Sequence, residues 1–179
     1  LPIYRLRTFI DRNIGRIVRV DKLTIEELES IQTKGGISGV DGSVNRSGGS
    51  YPHFIEVYQA MSKSTGCRND PVVLAETYTP ILSEESDDPL SEEGELREEQ
   101  RNIRLATLEV EAAIRSVTEQ RPYALMMDGG LIRYNIYAGE SWRGLVDLCE
   151  ETGTILMGVI KDIKTSVVGE EIKKVQPEL

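Results

Sequence analysis

Two aspartates stand where apolar residues are expected. Gly39-Val40-Asp41-Gly42-Ser43 puts one inside Ile37–Val44, a run that otherwise reads as a strand. Met126-Met127-Asp128-Gly129-Gly130 puts the other at the end of the short apolar run Tyr123–Met127. Asp-Gly is a common turn dipeptide, so either alone is ordinary turn chemistry; two on neighbouring strands would be a site. A third acid, Glu109, falls within a predicted helix over Glu95–Gln120. Its neighbours at helical spacing, Leu105, Ala106, Ala112 and Ala113, are apolar or small, which places Glu109 on the face that packs against a sheet. A carboxylate there is costly unless it is bound to a cation or hydrogen-bonded by a Ser, Tyr or Arg. Glu111 is different, since Arg115 stands four residues on and an ordinary surface ion pair satisfies it.

Three carboxylates brought together repel one another and raise the pKa of at least one. A hard divalent cation removes that conflict, and all-oxygen ligation suits Mg²⁺ or Mn²⁺. Two such ions about 3.5–4 Å apart can activate water and stabilise the leaving oxygen of a phosphodiester. Asp41 is best placed to bridge them. Lys161 follows the apolar run Ile155–Ile160 and offers a point charge to a phosphate. His53, the single histidine, lies among Tyr51, Phe54 and Tyr58 and reads as packed rather than catalytic. Trp142 reads as core or partner surface.

These residues need a frame. Ile3–Val20 has the stripe of an amphipathic helix with arginines opposite, and Thr24 with Glu27 forms a capping box for a second, short helix. After Gly35-Gly36 come three strand-like runs, Ile37–Val44, His53–Met61 and Pro71–Leu82, with Asn45–Ser50 as the first turn. The long helix follows, then a strand at Tyr123–Met127, a helix over Gly139–Glu151, a strand at Ile155–Ile160 and a last helix over Gly169–Val175. The order βββαβαβα predicts an α/β, RNase H-like fold: a mixed five-stranded sheet flanked by helices, with the first and fourth strands adjacent and parallel. Residues 1–34 form an N-terminal helical segment and 35–179 the main domain.

The chain has 179 residues, 39% of them hydrophobic, enough for a core. No apolar run approaches the roughly 20 residues of a membrane span and no leader peptide is visible, so the expectation is a soluble, cytoplasmic protein. Two cysteines and one histidine argue against a disulfide scaffold, a zinc site or a Ser-His-Asp triad. The net charge of −9 is concentrated: Ser83–Glu99 holds nine acids and one base, leaving about −1 elsewhere, and the first 22 residues are locally basic. A polyanionic ligand is therefore not excluded. The acidic stretch itself cannot rest on phosphates, so it is expected to project away from Asp41 and Asp128, solvated or docked on a basic partner.

Taken together, Gly-Val-Asp-Gly-Ser, the glycine-rich turn, Leu105-Ala106-Thr107-Leu108-Glu109, Met-Met-Asp-Gly-Gly-Leu and Gly158-Val159-Ile160-Lys161-Asp162 resemble the NurA nucleases over roughly residues 36–168. The resemblance implies an RNase H-like domain and Mn²⁺-dependent (or Mg²⁺-dependent) nuclease activity on DNA, with 5′ to 3′ polarity and single-strand endonuclease action. It also implies a HerA-type hexameric ATPase as partner in double-strand break processing, and a homodimer. By position, Asp41, Glu109 and Asp128 match the family's metal-binding acids and Lys161 a basic position near them. Family members continue past the equivalent of Leu179, so the expectation is a domain truncated at its carboxyl end. Two other readings compete. One is a catalytically weak RNase H-like module that docks a translocase. The other is an actin-like nucleotide-binding domain, which needs a phosphate loop that Asn45–Gly49 supplies poorly.

Overall fold

The computed structural model of the chain describes residues 3–13, 21–66, 70–82, 93–161, 170 and 173–174. The end of the first predicted helix (14–20), residues 83–92 of the acidic stretch and most of the last predicted helix lie outside these described residues. The chain divides into two compact units, one of residues 1–27 with 162–179 and one of residues 28–161. The first contains α1 (Ile3–Asn13), where Arg7 and Asp11 face each other at helical spacing, 4.0 Å apart. The capping box opens α2 (Ile25–Thr33): the Glu27 amide donates to Thr24 Oγ1 and the Thr24 amide to Glu27 Oε2.

The second unit is the sheet and its helices. It runs β1 (Ile37–Gly48), β2 (Phe54–Ser64), β3 (Val72–Tyr78), a 3₁₀ turn at Pro80–Leu82, α3 (Glu93–Gln120), β4 (Ala124–Asp128), α4 (Leu131–Tyr137), α5 (Gly139–Thr152) and β5 (Ile155–Val159). The sheet order is β3-β2-β1-β4-β5. β1 pairs antiparallel with β2 and parallel with β4, so the first and fourth strands are neighbours as the element order requires. This is the mixed five-stranded sheet, flanked by helices, that the pattern predicts.

Strict alternation along β2 orients the sheet. Tyr58, Ala60 and Ser62 are buried, while Gln59, Met61 and Lys63 between them are exposed. The buried side meets α3, whose Ala106, Val110, Ala113 and Val117 pack with Val40, Leu125 and Met127. Small residues on α3 let the helix lie close to the strands, and that closeness fixes where Glu109 ends up.

Several sequence expectations need correction. β1 continues through Asn45-Arg46-Ser47-Gly48, which the sequence read as a turn; each of these pairs with β2, and the Arg46 guanidinium lies 3.8 Å from the centre of the Phe54 ring. The turn is Gly49–His53, closed by the Gly49 amide on the His53 carbonyl. The glycine-rich run is therefore strand and hairpin, with no phosphate loop, and the actin-like reading loses its main motif. His53 is exposed in that turn and not packed. Glu93–Glu99 opens α3, so the acidic stretch is partly helix. Arg115 pairs with Glu119, at 3.8 Å, in place of Glu111. Trp142 is core, stacked on Tyr134 at 5.6 Å.

Helix α4 was not anticipated. It has seven residues, and Gly130 before it makes no side-chain cap, so neither periodicity nor a start signal announces it. Tertiary packing holds it: Tyr134 is fully buried and its hydroxyl donates to the Asp128 carbonyl at 2.9 Å.

Candidate metal centre at the β1–β4 seam

The parallel ladder between β1 and β4 ends at Val40 opposite Met127. Asp41 and Asp128 are the next residues, so both stand where the two strands part, at the carboxyl end of β4. Open α/β sheets place ligands at such strand ends. Asp41, Asp128 and Lys161 line one open cleft of about 210 Å³ with Gly39, Met126 and Val159. The Asp41 carboxylate accepts from the Gly42 amide at 3.0 Å and is otherwise exposed. Lys161 Nζ lies 3.0 Å from Asp128 Oδ1. The hydrogen bond to Asp128 and its charge hold the Lys161 ammonium above its ordinary range, with Asp41 adding to the effect.

Chain geometry after Asp128 is set by Gly129. Its φ of +82° is a left-handed conformation, and its amide donates to the Val159 carbonyl at 2.9 Å. The turn ties the end of β4 to the end of β5 and sends the chain directly into α4.

Glu109 approaches the same seam from the helix side. Side chains alternate along β1, so Gly42 faces α3 while Asp41 faces away from it. A Cβ on Gly42 would lie 2.6 Å from Glu109 Oε1, 2.8 Å from its Cγ and 2.9 Å from Leu105 Cδ1. The absence of a side chain at Gly42 is what lets Glu109 sit against the strand. Glu109 is buried, as its helical neighbours predict, and a guanidinium satisfies it: Arg133 Nη2 donates to Glu109 Oε2. Sequence reasoning missed this partner, because it belongs to α4.

Burial pushes the Glu109 carboxyl above its ordinary value, Arg133 and Tyr134 oppose the shift, and the charge of Asp41 adds to it. A carboxyl with a raised folded-state pKa contributes its stability fully below the unfolded value and loses it as pH rises through the folded one. Glu109→Gln cannot lose that contribution. In EDTA, thermal unfolding should show the variant gaining stability relative to wild type as pH climbs from the ordinary carboxylate range to neutrality. A difference that is flat with pH would remove burial of the charge as the cause.

The donor set is all carboxylate oxygen, which suits a hard divalent cation. The spacing is that of ion pairs: among the described residues, no three acidic, histidine or cysteine side chains are close enough to share one ion. Asp41 is the open carboxylate of the three, while Glu109 faces Arg133 and Asp128 faces Lys161. The structure thus brings Asp41, Asp128 and Lys161 to one cleft, and seats Glu109 behind it.

The family model for the NurA domain matches residues 35–175. The chain belongs to the NurA family. The match covers every sheet strand and all four candidate site residues of this NurA domain. None of the curated proteins compared with it matches. One solved structure is similar: Endonuclease V of Ciona intestinalis, in complex with a 24mer DNA containing an inosine followed by a ribo-adenosine. It shares 15% identity at a TM-score of 0.32, over 99% of this chain and 66% of that one. A likeness that slight transfers neither fold nor chemistry, and the NurA assignment rests on the family match. No helix among the described residues is long and apolar enough to cross a membrane.

Proposed function

We propose that the chain is a metal-dependent deoxyribonuclease. One observation carries this reading: in a chain of the NurA family, Asp41 and Asp128 stand at the parting ends of adjacent parallel strands, in one cleft with Lys161. Asp41, Glu109 and Asp128 would hold Mn²⁺ or Mg²⁺. Such ions supply Lewis acidity at the phosphorus and an activated water. The residues of the chain do the rest. Lys161 keeps Asp128 oriented and presents an ammonium at the cleft edge, where a phosphate of the bound strand meets it as a point charge. Gly42 gives Glu109 its place, while Arg133 ties α4 to Glu109 and Tyr134 ties it to the Asp128 backbone.

The finer parts of the proposal rest on the family resemblance. They are exonuclease action on DNA ends with 5′ to 3′ polarity, endonuclease action on single strands, a homodimer, and a HerA-type hexameric ATPase as partner in break processing. A second reading has one observation in its favour. Glu109 and Asp128 both face cations of the chain, as expected of a catalytically weak module that binds DNA or a translocase without cutting.

End-labelled linear duplex and single-stranded DNA, incubated with the full chain in Mn²⁺ or EDTA, separates the two. Cleavage in Mn²⁺ that EDTA abolishes supports the nuclease. DNA binding without cleavage at any Mn²⁺ concentration favours the binding module. The same assay with a HerA-type ATPase tests the partnership, and the label position reports polarity.

A further inference from the structure

Two of the three acids at the seam are not free to take a cation, and their partners differ in kind. Lys161 is highly exposed on a flexible stem, with Asp128 partly open to solvent. A water-screened pair of that sort exchanges readily. Arg133 is different. Its guanidinium meets a carboxylate that is 2% exposed and whose Oε1 and Cγ lie where a Cβ on Gly42 would stand. Its charge also lies 4.8 Å from the centre of the Tyr134 ring, a second favourable contact for the guanidinium.

From this we infer that Arg133 is the built-in counter-ion of Glu109. It holds the buried carboxylate oriented in the cation-free chain, and a divalent cation reaches Glu109 only by displacing it. The inference rests on the proposed metal-dependent reading of the seam. Arg133 acts through Glu109, which makes it a positioning residue. Two positive charges cannot share one desolvated carboxylate at contact distance without strong repulsion. Binding of the ion and departure of the guanidinium are therefore one event. Because Arg133 lies on the helix that follows Asp128-Gly129-Gly130, the exchange involves the same segment that carries the second candidate ligand.

The test uses the full chain and Mn²⁺ or Mg²⁺ alone. Arg133→Met removes the competing charge and keeps an unbranched apolar stem. Calorimetric titration should give it roughly tenfold or higher affinity for Mn²⁺ than wild type, since a full charge at contact distance has been removed. In EDTA the same variant should melt below wild type, because Glu109 is left buried without its partner, and Mn²⁺ should raise its melting temperature by more than it raises that of wild type. If Arg133→Met does not fold, the wild-type chain still decides the matter. The side-chain ¹⁵Nε resonance of Arg133, assigned through Arg133→Lys, should shift when diamagnetic Mg²⁺ binds. Equal Mn²⁺ affinity in wild type and Arg133→Met, or an Arg133 resonance that stays put while Mg²⁺ binds, overturns the inference and leaves the metal site standing. Absence of Mn²⁺ binding in wild type and variant alike overturns the metal-dependent reading, and the inference with it.

Discussion

Asp41→Asn should reduce Mn²⁺-dependent cleavage of linear DNA by roughly a hundred- to thousandfold, the loss that follows removal of one preorganised stabiliser of transition-state charge. The substitution preserves shape, and Asp41 is exposed, with its own Gly42 amide as the hydrogen bond given to its side chain. An asparagine carbonyl can keep that bond. The fold should therefore survive, with a melting temperature in EDTA equal to or above that of wild type, because a negative charge that acts against Glu109 is gone. Activity and stability move in opposite directions, which a merely structural role for Asp41 does not produce. Cleavage at the wild-type rate by a folded Asp41→Asn chain would remove Asp41 from the site.

The second large effect belongs to a residue with no side chain. Gly42→Ala should destabilise the chain by about 1–3 kcal/mol, the usual cost of forcing a methyl into a packed interface. Its Cβ meets Glu109 and Leu105 inside 3 Å, and both belong to the part of α3 that packs in the core. Relief requires Glu109 to swing away or α3 to lift from β1, and either change moves a candidate ligand. Nuclease activity should therefore fall further than the loss of stability accounts for at a temperature where the variant is folded. Gly39→Ala is the control. Gly39 lies on the same strand, two residues before Asp41, where an added Cβ meets nothing within 4 Å. Its effect on stability should stay within about 0.5 kcal/mol. Denaturant unfolding of the two variants side by side decides the point: equal costs would mean that β1 resists any side chain, and that the contact with Glu109 is not the cause.

Contrast between Asp41 and Gly42 also shows what kind of information each level holds. The acids were legible because chemistry contradicts pattern at their positions. A carboxylate in an apolar strand, or on the small-residue face of a helix, is anomalous whatever the fold, so Asp41, Asp128 and Glu109 could be picked out from sequence alone. The strand order followed too, since a meander leading into βα units leaves few ways to place a parallel crossover. Asp41 and Asp128 could then be set side by side before any coordinate was known.

What surrounds those acids was decided by the tertiary structure. Arg133 and Tyr134 sit on a seven-residue helix with no cap and no period, formed because Tyr134 packs against Trp142 and reaches the Asp128 carbonyl. Local sequence carries no signal for a helix stabilised only by contacts made elsewhere in the chain. The extension of β1 through Asn45–Gly48 has the same origin, since turn-forming residues stay extended there because β2 and the Phe54 ring hold them. The sequence by itself singled out the carboxylates around the seam, because burying a charge is costly enough to be visible in one residue. Which cations of the chain answer them, and hence the ion-paired state of Glu109, was set by helix packing around Gly42, a property of distances that no residue pattern contains.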